Sequence, residues 1–351
     1  MNPTKTVGPG IIGVGKYLPA TVRPNSYFSD PPPQGLGLET SDEWIVPRVG
    51  IRNRRVAAEG ELTSDLAVHA ARAALEMAQM SPAQLGQIIV ATATPDCRIP
   101  STANYVQAKL DPKALTPAFD INNACNGGLA GMELGYALVD SASRESVLVI
   151  GAETLTRASN YKDRGSCVLF GDGAGAVVIG RVQNPGPFGF VMKSDGTGAE
   201  DIIIRGGGHA FPTSPQYIEL DGKKVFKGAV KYMSAVSEEV LQLTGVKKED
   251  VTWFIPHQAN QRIIDGTAER LGLQDRALSY IEDMGNISAA SILVAMSNAY
   301  RDGWLQQGDI LLLAAIGSGL NYGAGVIQWN VVNTKDRPKG KFADHKDQQV
   351  G

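Results

Sequence analysis

FDINNACNGGLAG, residues 119–131, places one cysteine between the polar end of a short apolar strand and a glycine-rich run that opens a helix. Cys125 would lie at a helix N-terminus, where unpaired backbone N–H groups and the helix dipole favour the thiolate over the thiol. The following helix is small and apolar around most of its circumference, which indicates burial. The stretch predicts either a nucleophile in an α/β core or a buried cysteine that packs as a small apolar residue.

The composition is that of a globular protein large enough for two modest domains or one duplicated core: 351 residues, 43% hydrophobic, with a net charge of −3. This charge provides no overall attraction to nucleic acid or to anionic membranes, so an acidic partner would need a local basic patch. No apolar run approaches the roughly 18 residues of a membrane span. Three widely spaced cysteines and an N-terminus without a signal-peptide pattern predict free thiols in a cytoplasmic compartment.

Short β-rich runs alternate with helical stretches, so the predicted fold class is layered α/β. Strands are predicted over residues 10–19, 87–94, 118–121, 147–153, 168–180, 253–257, 310–316 and 323–329. Helices are predicted over residues 64–80, 128–142, 225–245, 259–272 and 289–303.

Two passages are self-similar: CNGGLAGMELGYALV (125–139) and GNISAASILVAMSNAY (285–300) each form a small-residue helix that precedes an apolar strand and glycines. This pattern predicts two related halves with a connection at residues 181–190. The proline-rich segment 29–37 and the charged C-terminal tail are predicted to be peripheral, and the tail to contribute little to the core.

Two further motifs end in polar residues. WFIPHQANQRI (253–263) closes an apolar strand with His257, at the kind of strand end where α/β folds build their sites. EDMGNISAAS (282–291) supplies Asn286 in a glycine-flanked turn before the next helix. Each residue alone also fits a structural role, as a packing histidine or a turn-forming asparagine.

GDGAGA (171–176) has the composition of a phosphate-binding loop, but strand-like residues stand on both sides of it. A phosphate loop leads from a strand into a helix, so this run predicts a tight packing or hairpin element instead. Because no Cys/His ligand cluster is present either, the sequence predicts no metal, flavin or nicotinamide cofactor.

Taken together, NACNGG, PHQAN and GNISAAS resemble motifs of the β-ketoacyl-ACP synthase III family, in the thiolase superfamily. TSDEWIVPRVGIRNRRVA (40–57), DRGSCVLFGDGAGAVVIG (163–180) and AIGSGLNYG (315–323) extend the resemblance in order from about residue 10 to 330.

The resemblance implies a thiolase-like fold with a duplicated five-layered α-β-α-β-α architecture. An N-terminal half (1–185) would carry the nucleophile, a C-terminal half (186–333) the histidine and asparagine, and a charged tail (334–351) would follow. A homodimer is also implied, with apolar edge segments around 87–107 and 168–180 at its interface.

The same resemblance assigns the chemistry. Cys125 would attack an acyl-CoA thioester and hold the acyl group covalently. His257 and Asn286 would bind the thioester carbonyl of a malonyl donor and stabilise the enolate formed when CO2 leaves. The backbone N–H groups of Cys125 and Ser318 would hold the oxyanion, and the glycines would keep side chains away from the sulfur.

Binding residues follow by resemblance as well. Trp44 and Arg48 would sandwich the adenine of CoA, and Arg164 would contact its phosphates. The implied acyl-CoA contacts are Trp44, Arg48, Arg164, Phe226, Ala229 and Asn260. The implied docking face for acyl carrier protein consists of Lys227, Arg262 and Arg270, with Glu269 departing from a position that is often basic.

At two positions this sequence departs from the family pattern in ways that concern the acyl group. Gly128 replaces an often bulky residue just after the cysteine. Ile99 stands where an aromatic residue from the partner subunit lines the acyl tunnel. Both predict an acyl pocket larger than acetyl requires. The proline-rich segment lies near the CoA-entry motif.

Other functions stay open from the sequence alone. The main alternative is a family member in polyketide or other natural-product assembly, which joins acyl chains or transfers an acyl group to a hydroxyl or amine. A non-enzymatic partner subunit usually lacks the nucleophile, which this chain retains. A thiolase needs a second cysteine near AIGSGLNYG, which has none. A hydroxymethylglutaryl-CoA-type synthase needs an additional glutamate, for which Glu133 and Glu153 are candidates by type only.

Overall fold

The computed structural model describes residues 6–340 and 342 and alternates short strands with helices. The strands are β1 (Val7–Tyr17), β2 (Thr21–Pro24), β3 (Asn53–Val56), β4 (Gln87–Ala91), β5 (Ala118–Ile121), β6 (Ser146–Thr154), β7 (Asp172–Gln183), β8 (Phe188–Ser194), β9 (Ile202–Ile204), β10 (Ile218–Leu220), β11 (Trp253–Pro256), β12 (Ile310–Gly317) and β13 (Asn321–Gln328). The helices are α1 (Ser26–Ser29), α2 (Asp42–Val49), α3 (Thr63–Met77), α4 (Thr102–Leu110), α5 (Gly127–Asp140), α6 (Gly222–Thr244), α7 (Gln261–Leu271) and α8 (Ser291–Arg301).

Two large sheets share one strand order. The first runs β1-β7-β6-β4-β5 and the second β8-β13-β12-β11. The parallel pair β4 and β6 in the first sheet corresponds to β11 and β12 in the second. An isolated parallel bridge between Phe254 and Ala277 flanks β11 as β5 flanks β4. The duplication predicted from the two self-similar passages is therefore present in the topology.

Helices form three layers around these sheets. The outer face of the first sheet is covered by α3 and α4, and that of the second by α6 and α7. Helices α5 and α8 lie between the sheets and pack against both. Small residues permit this close packing, since an added Cβ on Gly175 of β7 would lie 2.6 Å from Leu293 of α8. The five-layered α-β-α-β-α architecture predicted for a thiolase-like fold is confirmed.

The inner strands β4 and β6 of the first sheet are buried on both faces, which explains why they appear in the sequence as continuous apolar runs. All five residues of β4 and all nine of β6 are buried. The central apolar cluster joins residues of both sheets and both central helices. This arrangement brings the N-terminal ends of α5 and α8 together at the centre of the molecule, where the turns before them contact each other.

The sequence did not predict β8. Residues 181–190 were expected to be a connection, but β7 continues to Gln183 and β8 begins at Phe188. The strand forms because β13 pairs with it, and because its Phe188 and Phe190 rings lie 5.4 and 5.3 Å from the Tyr136 ring of α5. The boundary drawn between residues 185 and 186 falls in the remaining turn.

The GDGAGA run forms part of a single strand rather than a hairpin. Residues 168–170 form a turn and an isolated bridge, and β7 then extends from Asp172 between β1 and β6. Its glycines allow the central helix α8 to approach, as the position of Gly175 shows. No strand-to-helix loop is formed at this run.

The two segments expected to be peripheral both contact apolar clusters. In the proline-rich segment, Leu36 packs against the apolar cluster that contains Ile45 of α2. Residues 341 and 343–351 of the tail lie outside the described residues, but Phe342 is buried, with its ring 5.3 Å from Trp304 and 5.2 Å from Tyr280. The expectation that the tail contributes little to the core is wrong at this residue.

Within the described part of the chain, no helix combines the length and apolar character needed to traverse a bilayer.

Candidate active site

Cys125 lies in a single 3-10 turn, Ala124–Asn126, immediately before α5. The preceding Ala124 has φ +45°, a left-handed conformation that is uncommon for a residue with a side chain. Such backbone strain concentrates at functional sites, where the surrounding structure maintains it. The sharp turn places Cys125 on the wall of a cavity of about 950 Å3.

The second half repeats this turn. Ser288 opens the 3-10 turn Ser288–Ala290 before α8, and its φ is also +45°. The two turns contact each other. Ser288 lines the same cavity as Cys125, and its hydroxyl acts to lower the pKa of the Cys125 thiol. The duplicated fold thus brings two equivalent helix starts face to face.

Asn286 is fixed just before the second turn. Its side-chain Oδ1 accepts a hydrogen bond from the Ser288 N–H at 2.9 Å, and its own backbone N–H donates to Leu169 O at 2.9 Å. No described residue accepts a hydrogen bond from the Asn286 Nδ2 group. An amide donor in a fixed position is therefore available to a substrate.

His257 follows the end of β11, where its backbone N–H donates to Ala314 O at 2.7 Å. Its ring Nδ1 lies 2.6 Å from the Ser291 hydroxyl at the start of α8. Burial lowers the pKa of His257 to about 3, so the ring is neutral at physiological pH. A neutral imidazole can donate one hydrogen bond from Nε2, for which no described protein acceptor is present.

The resting state of Cys125 differs from the sequence-based expectation. Burial is the main reason that the pKa of its thiol is raised to about 11; the Ser288 hydroxyl acts in the opposite direction, and the negative charge of Glu153 adds to the increase. The helix N-terminus therefore does not by itself make the resting cysteine a thiolate.

Glu153, near the end of β6, is fully buried close to this cysteine. Its carboxylate accepts hydrogen bonds from Thr94 Oγ1 at 2.7 Å and from the Ala93 N–H at 3.1 Å. Burial raises the pKa of Glu153 to about 7. Glu133, the other glutamate singled out by type, is half-buried on α5 and does not line the cavity.

The predicted oxyanion donors also meet at this wall. Ser318 lines the cavity with Cys125, and its hydroxyl donates to Ile202 O at 2.5 Å. An added Cβ on Gly317 would lie 2.6 Å from the backbone nitrogen of Cys125, so only glycine fits this approach. Neither the Cys125 nor the Ser318 backbone N–H has a backbone acceptor among the described residues.

The residues predicted to bind CoA do not line this cavity. Trp44 stands between two arginines, with the Arg48 and Arg164 guanidinium carbons 4.4 and 5.0 Å from its ring centroid. Arg164 also hydrogen-bonds to Glu39 O. An aromatic ligand could therefore stack between the Trp44 ring and either guanidinium group.

A second group lies on α6 and α7. Phe226 has the Arg262 guanidinium carbon 5.2 Å from its ring centroid. Asn260 caps α7, with its side chain accepting from the Arg262 N–H at 2.9 Å, whereas Ala229 is fully buried. Side chains of the predicted carrier-docking face are exposed: Lys227, Arg262 and Arg270.

Of the two predicted acyl-pocket residues, Gly128 does not line the described cavity. An added Cβ there would lie 2.3 Å from Ala289 O, so the glycine serves the contact between α5 and the second turn. The packing therefore does not support the prediction that Gly128 enlarges the acyl pocket. Ile99 is 87% exposed and lines a separate cleft of about 410 Å3 together with Phe119.

Two residues of the site were not predicted as such from the sequence. Ser288 and Ser291 belong to the GNISAAS motif, but only the fold shows that they contact Cys125 and His257. The cavity is closed on another side by β9 and by residues near β10, a region without a sequence signal. Within residues 6–340 and 342, no group of three or more metal-ligating side chains is assembled.

Solved structures define the class to which this arrangement belongs. A 3-oxoacyl-[acyl-carrier-protein] synthase III from Aquifex aeolicus is 41% identical with a TM-score of 0.85, covering 92% of this chain and 100% of that one. The priming β-ketosynthase of the R1128 polyketide pathway is 30% identical with a TM-score of 0.87, covering 96% and 99%. The fold is that of the thiolase-type condensing enzymes.

Sequence comparisons identify the family. The models for 3-oxoacyl-[acyl-carrier-protein (ACP)] synthase III and for its C-terminal part match residues 119–196 and 241–329. A β-ketoacyl-[acyl-carrier-protein] synthase III of Caldanaerobacter subterraneus is 43% identical over 334 residues, covering 92% of this chain and 98% of the relative. The chain belongs to the β-ketoacyl-ACP synthase III family of condensing enzymes, as the sequence motifs predicted.

Proposed function

We propose that this enzyme loads an acyl group from acyl-CoA onto Cys125 and then condenses it with a malonyl thioester, with loss of CO2. The contact between the Cys125 turn and the turn opened by Ser288, two residues after Asn286, supports this assignment most directly, together with the contact of His257 with Ser291. In this assignment Cys125 is the nucleophile, and His257 and Asn286 are the two donors that bind the malonyl thioester.

In the first step, Cys125 sulfur attacks the thioester carbonyl and CoA leaves as its thiol. The oxyanion formed on the carbonyl would be held by the N–H groups of Cys125 and Ser318. Each such donor typically contributes about 10²–10³ in rate, because it is already oriented towards the developing charge.

In the second step, the malonyl thioester oxygen accepts hydrogen bonds from His257 Nε2 and Asn286 Nδ2. The malonyl carboxylate leaves as CO2, and its electron pair becomes the enolate that these two donors stabilise. The enolate carbon then attacks the acyl carbonyl, and the carbon–sulfur bond to Cys125 breaks. Because His257 is neutral, it stabilises this charge by hydrogen bonding rather than by carrying a positive charge.

For substrate delivery, we assign the CoA nucleotide to Trp44 with Arg48 and Arg164, and the acyl carrier protein to the exposed cations Lys227, Arg262 and Arg270. The Arg262 guanidinium lies over Phe226, another of the proposed CoA contacts. Acidic carrier proteins would be attracted to this local patch although the whole chain carries a charge of −3.

A homodimer is part of the proposal. Ile99, Leu115 and Phe119 are large apolar side chains that are 87%, 94% and 40% exposed. They lie on or beside β5, the edge strand of the first sheet, so a second copy would cover them. In such a dimer Ile99 would reach the partner's acyl pocket. The proposed compartment is the cytoplasm.

One experiment tests the assignment. The protein is incubated with acyl-CoAs of increasing chain length, and the mass added to the Cys125 peptide is measured; malonyl-carrier protein is then added, and CO2 and the β-keto product are measured. We expect an acyl adduct that malonyl-carrier protein converts with release of CO2. A Cys125 peptide that gains no mass with any acyl-CoA would contradict the proposal.

The same experiment decides the second candidate. The similarity to the R1128 priming ketosynthase supports a role in starting polyketide chains. Preferential loading of longer acyl groups would favour that role, and acetyl clearly loaded best would exclude it. An adduct that is transferred to a hydroxyl or amine without CO2 would instead identify an acyltransferase.

A further inference from the structure

Glu153 is a buried carboxylate that the proposed condensation does not use. It has zero solvent exposure, and no ion pair joins it to a described cation. Its hydrogen-bond donors among the described residues are neutral: the Thr92 and Thr94 hydroxyls and the Ala93 N–H. The neutral Ser288 hydroxyl and Ala289 N–H also favour its ionised form. A charged group held by neutral donors in a protein interior is costly, so its retention calls for a function.

The Ser288 hydroxyl connects this carboxylate to the reacting sulfur. The turn that Ser288 opens contacts both the Cys125 turn and β6, which carries Glu153. The hydroxyl favours the ionised form of both groups, and Ser288 lines the cavity where a thioester would enter. Its position is enforced, since Ser288 holds φ +45° and its N–H is bonded to Asn286 Oδ1 at 2.9 Å. A hydroxyl can accept one proton while donating another, so it can pass a proton between two groups that do not touch.

The charges of the neighbouring groups leave the thiol proton few other destinations. His257 is neutral with a strongly lowered pKa, which makes it a poor acceptor. Asp172 of the adjacent strand already accepts from the Thr156 N–H at 2.8 Å and its hydroxyl at 2.6 Å, and from the Ala57 N–H at 2.8 Å. Among the described residues, Cys125 is the titratable group whose charge couples to Glu153.

We propose, on the basis of the proposed acyl loading, that Glu153 receives the Cys125 proton through the Ser288 hydroxyl when the sulfur attacks acyl-CoA. Cys125 gives its proton to Ser288 Oγ while Ser288 gives its hydroxyl proton to the Glu153 carboxylate. The sulfur electron pair forms the new carbon–sulfur bond, and the bond to the CoA sulfur breaks. The CoA thiolate recovers the proton from Glu153 by the same route, so the step begins and ends with an ionised carboxylate.

The relay avoids placing two negative charges in one buried site. Direct ionisation of Cys125 would put a thiolate beside the Glu153 carboxylate, and this repulsion is one cause of the raised thiol pKa. Transfer along Ser288 keeps a single negative charge that moves from oxygen to sulfur. The two groups then titrate as a pair, and the first proton lost from the pair activates the enzyme.

The test measures the rate of Cys125 acylation in a single turnover, by quenched-flow mass spectrometry, as a function of pH. The variants are Glu153→Gln, which removes the acceptor, Glu153→Asp, which keeps a carboxylate, and Ser288→Ala, which removes the hydroxyl. Alanine is tolerated at this φ, as Ala124 shows in the equivalent turn. Glu133→Gln, at a half-buried carboxyl outside the cavity, is the matched control.

We expect the wild-type rate to rise through a pH of about 7 and then level off. Glu153→Gln and Ser288→Ala should each slow acylation near neutral pH by about 10- to 100-fold. Their rates should continue to rise into the alkaline range, because only direct ionisation of Cys125 remains. The double variant should be no slower than either single variant, and Glu153→Asp should retain the inflection. The Glu133→Gln control should match the wild type.

Wild-type rates and an unchanged pH profile in Glu153→Gln or in Ser288→Ala would overturn the relay. If Glu153→Gln fails to fold, as a melting curve would reveal, Ser288→Ala alone decides the question in the same way. Failure of the proposed function looks different, because the wild type itself would then take no acyl group. In that event, alkylation of Cys125 by iodoacetamide across the same pH range still reports whether Glu153 and Ser288 control thiolate formation.

Discussion

The Ser291 hydroxyl lies 2.6 Å from Nδ1 of His257 and accepts a hydrogen bond from the Gln258 backbone N–H at 3.3 Å. The hydroxyl can donate its own proton to Nδ1 while its oxygen accepts from this N–H. With the hydroxyl donating to Nδ1, the neutral ring carries its own proton on Nε2. One serine at the start of α8 thus selects the tautomer that can donate to a substrate oxygen.

Ser291→Ala is therefore expected to impair decarboxylation of the malonyl thioester. Without the serine proton the ring can adopt the other tautomer or rotate, and the loss should approach that of a missing oxyanion donor, about 10²-fold. Rates of CO2 release and of Cys125 acylation are measured separately, and acylation should change little. Ser297→Ala, further along the same helix, is the control. Equal losses in both half-reactions would contradict a role confined to His257.

The close approach of Gly317 to Cys125 leads to a second prediction. An alanine at 317 would place its Cβ 2.6 Å from the Cys125 nitrogen, where the oxyanion should bind. Gly317→Ala should slow acylation by about 10²-fold, and it should also lower the melting temperature, because the added Cβ forces neighbouring backbone atoms to shift. Gly196→Ala, where no atom lies within 4 Å of the added Cβ, serves as the control. Normal acylation by Gly317→Ala would show that the oxyanion is held elsewhere.

The main features of this site could be predicted from sequence because they are local. Cys125 precedes a helix of small residues, and His257 ends an apolar strand; both patterns fix the position of a side chain relative to its own element. The layered fold also follows from the order of the apolar runs. Such signals depend on neighbours within a few residues along the chain.

Glu153, Phe342 and Gly128 show why the rest could not be predicted. The carboxylate of Glu153 follows an apolar strand, and nothing near it in sequence indicates that Ser288 closes over it. Phe342 lies in a charged tail, yet it packs on rings of residues 280 and 304. The absence of a side chain at Gly128 predicts a larger acyl pocket, but the backbone of Ala289 in the other half occupies this space. Each outcome depends on residues brought together by the duplicated fold.

Trp44 and its two flanking arginines should affect only substrates that carry the nucleotide of CoA. Trp44→Ala removes the ring that both guanidinium groups face, so the KM for acyl-CoA should rise about tenfold while kcat is kept. The matched measurement uses an acyl-pantetheine, which lacks the nucleotide; here the variant and the wild type should be equal. A higher KM with both substrates would contradict nucleotide binding and would show that Trp44 instead stabilises α2.

The buried carboxylate of Glu153 also predicts how stability depends on pH. Burial raises the pKa of Glu153 to about 7 in the folded protein, above the roughly 4.3 of an unfolded chain. Between about pH 4.3 and 7 the Glu153 carboxyl is therefore protonated in the folded protein but ionised in the unfolded chain. The stability that this proton contributes is fully present below about pH 4 and is lost as the pH rises through 7. Glu153→Gln carries no such proton, so its melting temperature relative to the wild type should increase from pH 5 to pH 8. Glu133→Gln is the comparison. Burial also raises the pKa of this half-buried carboxyl, so its melting temperature relative to the wild type should change in the same direction but by less. A constant difference in melting temperature between Glu153→Gln and the wild type would show that Glu153 keeps an ordinary pKa, and the relay through Ser288 would then lack its acceptor near neutral pH.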